Sequence, residues 1–182
     1  MLPVPFRPAI IQYAWVVPEL EAAARHWHAT LGVGPFLINR DLKLTRPRYR
    51  GHPGGPRFST AVAQSGDVQI ELVEQLDDSP SAYRDLVAPG ATGFHHVAFI
   101  AGDFAAALSG LTGQGHAIAA DGLFGDMQYA YVDTSGAIGC MTEIIEDKPA
   151  IRAFFAAVRK AAERWDGDPA TLLREMAPAP AS

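Results

Sequence analysis

Residues 93–108 read GFHHVAFIAGDFAAAL, and residues 10–24 read IIQYAWVVPELEAAA. Each stretch starts with β-branched and aromatic residues, the composition of a strand, and then breaks beside an acidic residue that opens a helix. The two superpose at an offset of 84 residues, pairing Gln12 with His96, Ala14 with Ala98, Trp15 with Phe99 and Val16 with Ile100. The match runs on through Glu19 with Asp103, Leu20 with Phe104, and Ala22 and Ala23 with Ala106 and Ala107. Further along, Glu71-Leu-Val-Glu74 lies over Glu143-Ile-Ile-Glu146. An internal duplication follows, because a repeat is one supersecondary unit that buries its open face against its copy.

Outward from these stretches, the first half reads as a strand at 10–17, a helix from Pro18 to about Leu31 and a stop at Gly32 and Gly34-Pro35. Residues 36–50 read as an extended pair or a long hairpin arm, with a turn at 52–56 and strands near 57–64 and 68–74. The second half repeats the order, with a strand at 94–101, a helix at 103–113 and strands near 117–119, 127–133 and 140–146. A third helix is expected at 149–164 and a last short one after the Asp166–Pro169 turn. The predicted fold class is α+β: tandem βαβββ modules forming a curved mixed sheet around a metal cavity, plus C-terminal helices. The predicted boundaries are 8–76 and 92–147 for the modules and 77–91 for the polar linker, with a short helix, between them. Residues 148–176 take the C-terminal helices, and 177–182 form a frayed tail.

Composition narrows the classes. The 182 residues are 48% hydrophobic and 19% charged, enough apolar surface for a substantial core. A net charge of −5 disfavours non-specific nucleic-acid binding. The single cysteine, Cys140, forms no internal disulfide, excludes a Cys-based zinc or iron–sulfur site and reads as an inert buried thiol. No apolar run reaches the roughly 20 residues of a membrane span, and Met1–Pro5 lacks the plan of a signal peptide. The expectation is a soluble, cytoplasmic protein with no membrane partner.

Strand alternation then sorts the side chains. Gln12, Ala14 and Val16 share one face of the first strand, opposite Tyr13 and Trp15. In the second copy, Phe94, His96, Ala98 and Ile100 take the Gln12 side, while His95, Val97 and Phe99 face the helix. Gln69, Glu71 and Val73 lie opposite Val68, Ile70 and Leu72; Met141, Glu143 and Ile145 lie opposite Ile144. Each half thus sets two chelating side chains on its concave face, Gln12 with Glu71 and His96 with Glu143. No Lys or Arg lies on these inner faces, and a buried carboxylate without a partner costs several kcal/mol. One divalent cation would satisfy both. Singly, each residue has a plainer reading: a hydrogen-bonded strand glutamine, a satisfied core histidine, a solvent-face glutamate. Their equivalent placement in two repeats favours a metal site.

The duplicated βαβββ order, the run GFHHVAFIAGDFAAAL and the paired ends IELVE and TEIIE resemble the vicinal oxygen chelate superfamily over residues 8–147. Its members include glyoxalase I, methylmalonyl-CoA epimerase, extradiol dioxygenases and bleomycin-resistance proteins. The order Gln12, Glu71, His96, Glu143 is similar to the ligand set of eukaryotic-type zinc glyoxalases. The resemblance implies these four as ligands, with Glu143 as the catalytic base and Glu71 second. It implies zinc foremost, with Ni, Co, Mn or Mg compatible, and a homodimer. The expected reaction is proton abstraction beside a carbonyl, as in a glyoxalase-type lyase, an isomerase or an epimerase.

Departures shape the alternatives. No glutathione-binding set is present, and Gln12 stands where epimerases and dioxygenases carry histidine. A single ligand histidine disfavours extradiol chemistry, and a metal-free binding protein has no need of the quartet. For the small-molecule substrate, Arg46, Arg48 and Arg50 stand in a basic arm (Arg40 to Arg57) that would draw an anion, and Tyr129 and Tyr131 line one strand face. The plainer readings are a solvated hairpin and a core stripe. His95 and His116 carry no specific assignment, and the 149–164 helix should cap the sheet or a partner subunit.

Overall fold

Two central strands, β1 (Gln12–Val16) and β7 (Gly93–Ala101), pair antiparallel and join the halves of one mixed sheet in a computed structural model that describes residues 7–176. The chain continues through α1 (Leu20–Leu31), β2 (Phe36–Asn39), β3 (Thr45–Tyr49), β4 (His52–Pro53), β5 (Phe58–Ser65), β6 (Val68–Gln75) and α2 (Ala82–Leu86). After β7 come α3 (Phe104–Thr112), β8 (Ala117–Phe124), β9 (Met127–Asp133), α4 (Ser135–Ile138), β10 (Met141–Glu146), α5 (Pro149–Glu163) and β11 (Leu173–Glu175). The sheet order is β11-β2-β5-β6-β1-β7-β10-β9-β8-β3-β4. From the centre outward, β1-β6-β5-β2 and β7-β10-β9-β8 repeat one plan, as the duplication requires.

The repeat extends to the helix starts. The Glu19 carboxylate accepts from the backbone N–H groups of Glu21 and Ala22, and Asp103 accepts from that of Ala106. Each satisfies donors that a first helical turn leaves bare. Gly32, at φ 69°, ends α1 and donates its N–H to the His28 carbonyl. α1 buries Leu20 and Ala24 against Ile38, Ile70 and Leu72, and α3 covers Phe99, Val132 and Ile144. Both helices therefore occupy the outer face of the sheet.

The inner face is covered differently. α5 sets Val158 and Phe154 on Leu37 and Val62, and Ile151 and Phe155 on Ala98, Met127 and Ile145. On the other side, α2 brings Ala82 and Tyr83 against Phe58, Val73, Tyr131 and Met141. The third helix thus caps the chain's own sheet.

Three local expectations change. Residues 36–50 are not a hairpin: β2 pairs with β5, whereas β3 crosses to β8 of the second half and forms a hairpin only with β4. The crossing closes the edge of β8, whose backbone groups would otherwise lack partners. This extends the strand expected at 117–119 through Phe124. A bulge between Thr45 and Arg48 holds Arg46 at φ 50°. Beyond the Asp166 turn the chain forms a short 3₁₀ turn, Pro169–Thr171, and then β11 alongside β2, in place of a helix. The expected tail at 177–182 lies outside the described residues. No helix among those described is long and apolar enough to cross a membrane.

Candidate metal centre

Strand register brings the halves together on the inner face. Ala14 sits opposite Glu71 on one side and His96 on the other; Ala98 sits between Gln12 and Glu143. Directly opposed residues have Cβ atoms roughly 4.5–5.5 Å apart, so two methyl side chains at these crossings leave the space that longer neighbours fill. His96 Nε2 lies 3.3 Å from Glu71 Oε2 and 3.2 Å from Glu143 Oε2. One ligand atom from each of the three falls within 4.8 Å of the others. His96 is fully buried, and the two glutamate side chains are 14% and 12% exposed. Among the described residues, no Lys or Arg forms an ion pair with either glutamate.

His96 Nε2 satisfies hydrogen-bond geometry with neither carboxylate and has no other partner. Such an orphan is uncommon for a buried polar atom. It sits between two acceptors where a ligated cation would place it, so the donor set fits a divalent ion. Burial pulls the His96 imidazole down, but the two carboxylates more than offset this and lift it to about 9. Burial pushes the Glu71 carboxyl up; His96 draws it down, and Glu143 adds repulsion.

The histidine pair is where alternation fails. The β1–β7 register jumps from Ala14 opposite His96 to Trp15 opposite Phe94, so His95 has no counterpart. Phe94 consequently turns to the outer face, its ring centroid 5.1 Å from Trp15 and 6.4 Å from Tyr13. His95 turns inward, against the expectation that it faces the helix, because two residues of β7 span one position of β1. The Ala82 carbonyl, 2.8 Å away, can only accept, so His95 Nε2 carries the hydrogen. Burial, with the charge of His96 second, lowers His95 to about 3 and keeps it neutral. Its bare Nδ1 therefore accepts from His96 Nδ1–H at 2.9 Å. Once it sheds its proton, as a metal ligand must, His96 presents the lone pair of Nε2 toward the glutamates.

Gln12, 3% exposed, shares this face and donates from Nε2 to Gln69 Oε1 at 3.3 Å. Tyr131, opposite Glu143 in the ladder, has its ring centroid 4.9 Å from His96. Its hydroxyl is 3.4 Å from that of Tyr83, and burial raises both phenols well above their ordinary range. Tyr129 lies further along the stripe and, with Arg46 and Arg48, lines a cavity of about 380 Å³ at the β3–β8 edge. Arg50 is instead tied to Asp85 and Asp133. The basic arm is mostly neutralised, since Arg40, Lys43, Arg48 and Arg57 each hold a carboxylate. Arg46 forms no ion pair among the described residues. Cys140 is buried and free, and burial pushes its thiol up.

Sequence reasoning missed Tyr83 and the Ala82 carbonyl: the 77–91 segment reads as a polar linker with a short helix, and nothing in it marks these two groups as facing the centre. It left His95 unassigned because a bulge leaves no signature in one strand alone.

Comparison with known proteins agrees with this architecture. The fold is similar to methylmalonyl-CoA epimerase from Mycobacterium tuberculosis, with TM-score 0.52 and 20% identity over 84% of this chain and 97% of that one. It is also similar to hypothetical protein BH1468 from Bacillus halodurans C-125, with TM-score 0.55 and 16% identity over 77% and 94%. No curated protein matches the chain. The sequence model of one superfamily matches residues 11–131, two-thirds of the chain, ending before β10 and α5. On that match and this fold, the chain belongs to the glyoxalase/bleomycin resistance protein/dioxygenase superfamily.

Proposed function

We propose that this chain is a divalent-metal-dependent enzyme that removes a proton from the carbon beside a carbonyl in a small, oxygenated, anionic substrate. The reaction is a lyase, isomerase or epimerase step of glyoxalase I or epimerase type. The observation that supports it most is the buried, unpartnered Nε2 of His96 between two carboxylates. Glu71, His96 and Glu143 would hold the ion, with Gln12 as the fourth ligand and zinc foremost; Ni, Co, Mn and Mg also suit a donor set rich in oxygen. A bound ion supplies Lewis-acid polarisation of the substrate carbonyl.

The chain's residues supply the rest. Glu143, on the inner face opposite Tyr131, takes the proton, and Glu71 is the second carboxylate able to return it. The paired hydroxyls of Tyr83 and Tyr131 carry two hydrogens but share one hydrogen bond, leaving one hydrogen free to donate to a substrate oxygen. α2 and α5 exclude bulk water from both flanks. Similarity to an epimerase makes methylmalonyl-CoA the first substrate to assay. The proposal includes a homodimer in the cytoplasm, supported by the superfamily resemblance alone.

Elemental analysis tests the metal. Protein purified without chelator or histidine tag should carry close to one equivalent of zinc, nickel, cobalt or manganese, and Glu71→Ala/His96→Ala should lose it. Iron with oxygen uptake would favour an extradiol-type dioxygenase. No metal even after reconstitution would favour a metal-free, bleomycin-resistance-type binding protein.

His95 gives a second test. His95→Leu removes the acceptor that fixes the His96 tautomer. The expected result is a metal affinity lower by about 10–100-fold, as for other outer partners of ligand histidines. Competition with a chromogenic chelator measures it, and unchanged affinity would remove His95 from the centre.

A further inference from the structure

Beyond the metal cluster, the inner face carries a row of three amides. Gln69 on β6 lies opposite Gln12 on β1 and opposite Gln64 on β5, and past Gln12 the same row runs through Ala98 to Glu143. Gln12 donates to Gln69 Oε1, and Gln64 donates to the Gly66 carbonyl. That leaves Gln69 Nε2, in a side chain 2% exposed, with no partner. A buried donor left unmatched costs roughly 1–3 kcal/mol, so an acceptor is called for.

The row opens onto a cavity of about 280 Å³ beneath α5, lined by Gln64, Gln69 and, at its rim, Asp67, and walled by Ile11, Phe155 and Ala156. Arg159 of α5 stands over it. Its only ion-pair partner among the described residues is Asp67, at 3.6 Å and fully exposed, so the guanidinium is weakly held. A positive group, an unpartnered amide donor and a short apolar wall match a carboxylate on an aliphatic stem. Gln69 precedes Glu71 by two residues, about 7 Å along β6, and its row reaches the cluster at Glu143.

We propose that this cavity is the subsite for a distal carboxylate of the substrate, bound by Arg159 and Gln69 while the reacting carbonyl lies at the metal centre. The inference rests on the proposed function and adds that the substrate is a dicarboxylate or its acyl derivative. α5 lies past the residues shared with the superfamily model, so the specificity belongs to this chain's C-terminal helix.

Succinate, glutarate and adipate, with butyrate as the one-carboxylate control, test it by calorimetric titration of metal-analysed protein. At least one dicarboxylate should bind; Arg159→Ala should weaken it 10-fold or more with metal content unchanged, and Gln69→Leu should weaken it as well. Butyrate, which can fill only one of the two carboxyl positions, should bind more weakly than the best dicarboxylate. Arg159 is half-exposed on a helix, so that variant keeps the test valid if Gln69→Leu does not fold. Equal dicarboxylate binding by wild type and Arg159→Ala overturns the subsite, as does binding of none of the three. Metal content, read on the same samples, separates failure of the subsite from failure of the metal centre: dicarboxylate binding that depends on Arg159 in a protein without metal upholds the subsite alone.

Discussion

His96→Ala is expected to empty the metal centre and destabilise the protein around it. Loss of an outer partner of a ligand histidine already costs roughly 10–100-fold in affinity, so loss of the ligand should exceed about 100-fold. In chelator-treated protein the same change strips Glu71 and Glu143 of the only charged partner they have among the described residues. Removing one partner of a buried ionic cluster destabilises by about 3–5 kcal/mol. Urea unfolding in chelator measures this, and a variant as stable as wild type would show that the cluster is not ionised.

The pH dependence of the metal-free protein follows. His96 is held at about 9, against 6.5 in an unfolded chain, so its stabilisation is complete below pH 6.5 and is lost as pH rises through 9. Glu71, raised by burial, acts in the same direction, since the folded state disfavours its ionised form. Stability without metal should fall by on the order of 3 kcal/mol between pH 6.5 and 9. Metal affinity should rise over that range, because the ligands must shed their protons to bind. Stability that falls with pH in chelator and is nearly flat when metal saturates the site is the signature; a flat profile in chelator would contradict the coupling of His96 to the carboxylates.

Glu143→Gln should abolish turnover while leaving fold and metal in place. The amide keeps an oxygen for the ion but cannot accept the substrate proton, and a positioned general base contributes about 10²–10⁴-fold. The direct measurement is exchange of the substrate hydrogen with deuterated solvent beside metal analysis of the same sample. Continued exchange in a metal-replete variant would move the role of base to Glu71.

Much of the fold was legible because its signals are local. The two opening strands, their acidic caps at Glu19 and Asp103 and the paired Glu71 and Glu143 repeat in order, and the backbone carries out that repeat around the β1–β7 seam. The geometry of Glu71, His96 and Glu143 follows from period-two alternation and small residues at 14 and 98, both readable from one strand at a time. The destination of β3 was not legible, because an edge strand pairs wherever an unpaired edge is offered, and β8 offers one from the other half.

What the sequence determined by itself, then, is the duplicated architecture and the inward placement of the glutamates and His96, since both depend on periodicity along single segments. Tertiary structure alone decided the direction of His95, the arrival of Tyr83 and the Ala82 carbonyl, and the closure by α5. Each arises where one strand's register meets another's or where a helix finds an open face. Contacts between residues distant in the chain have no periodic trace within either partner.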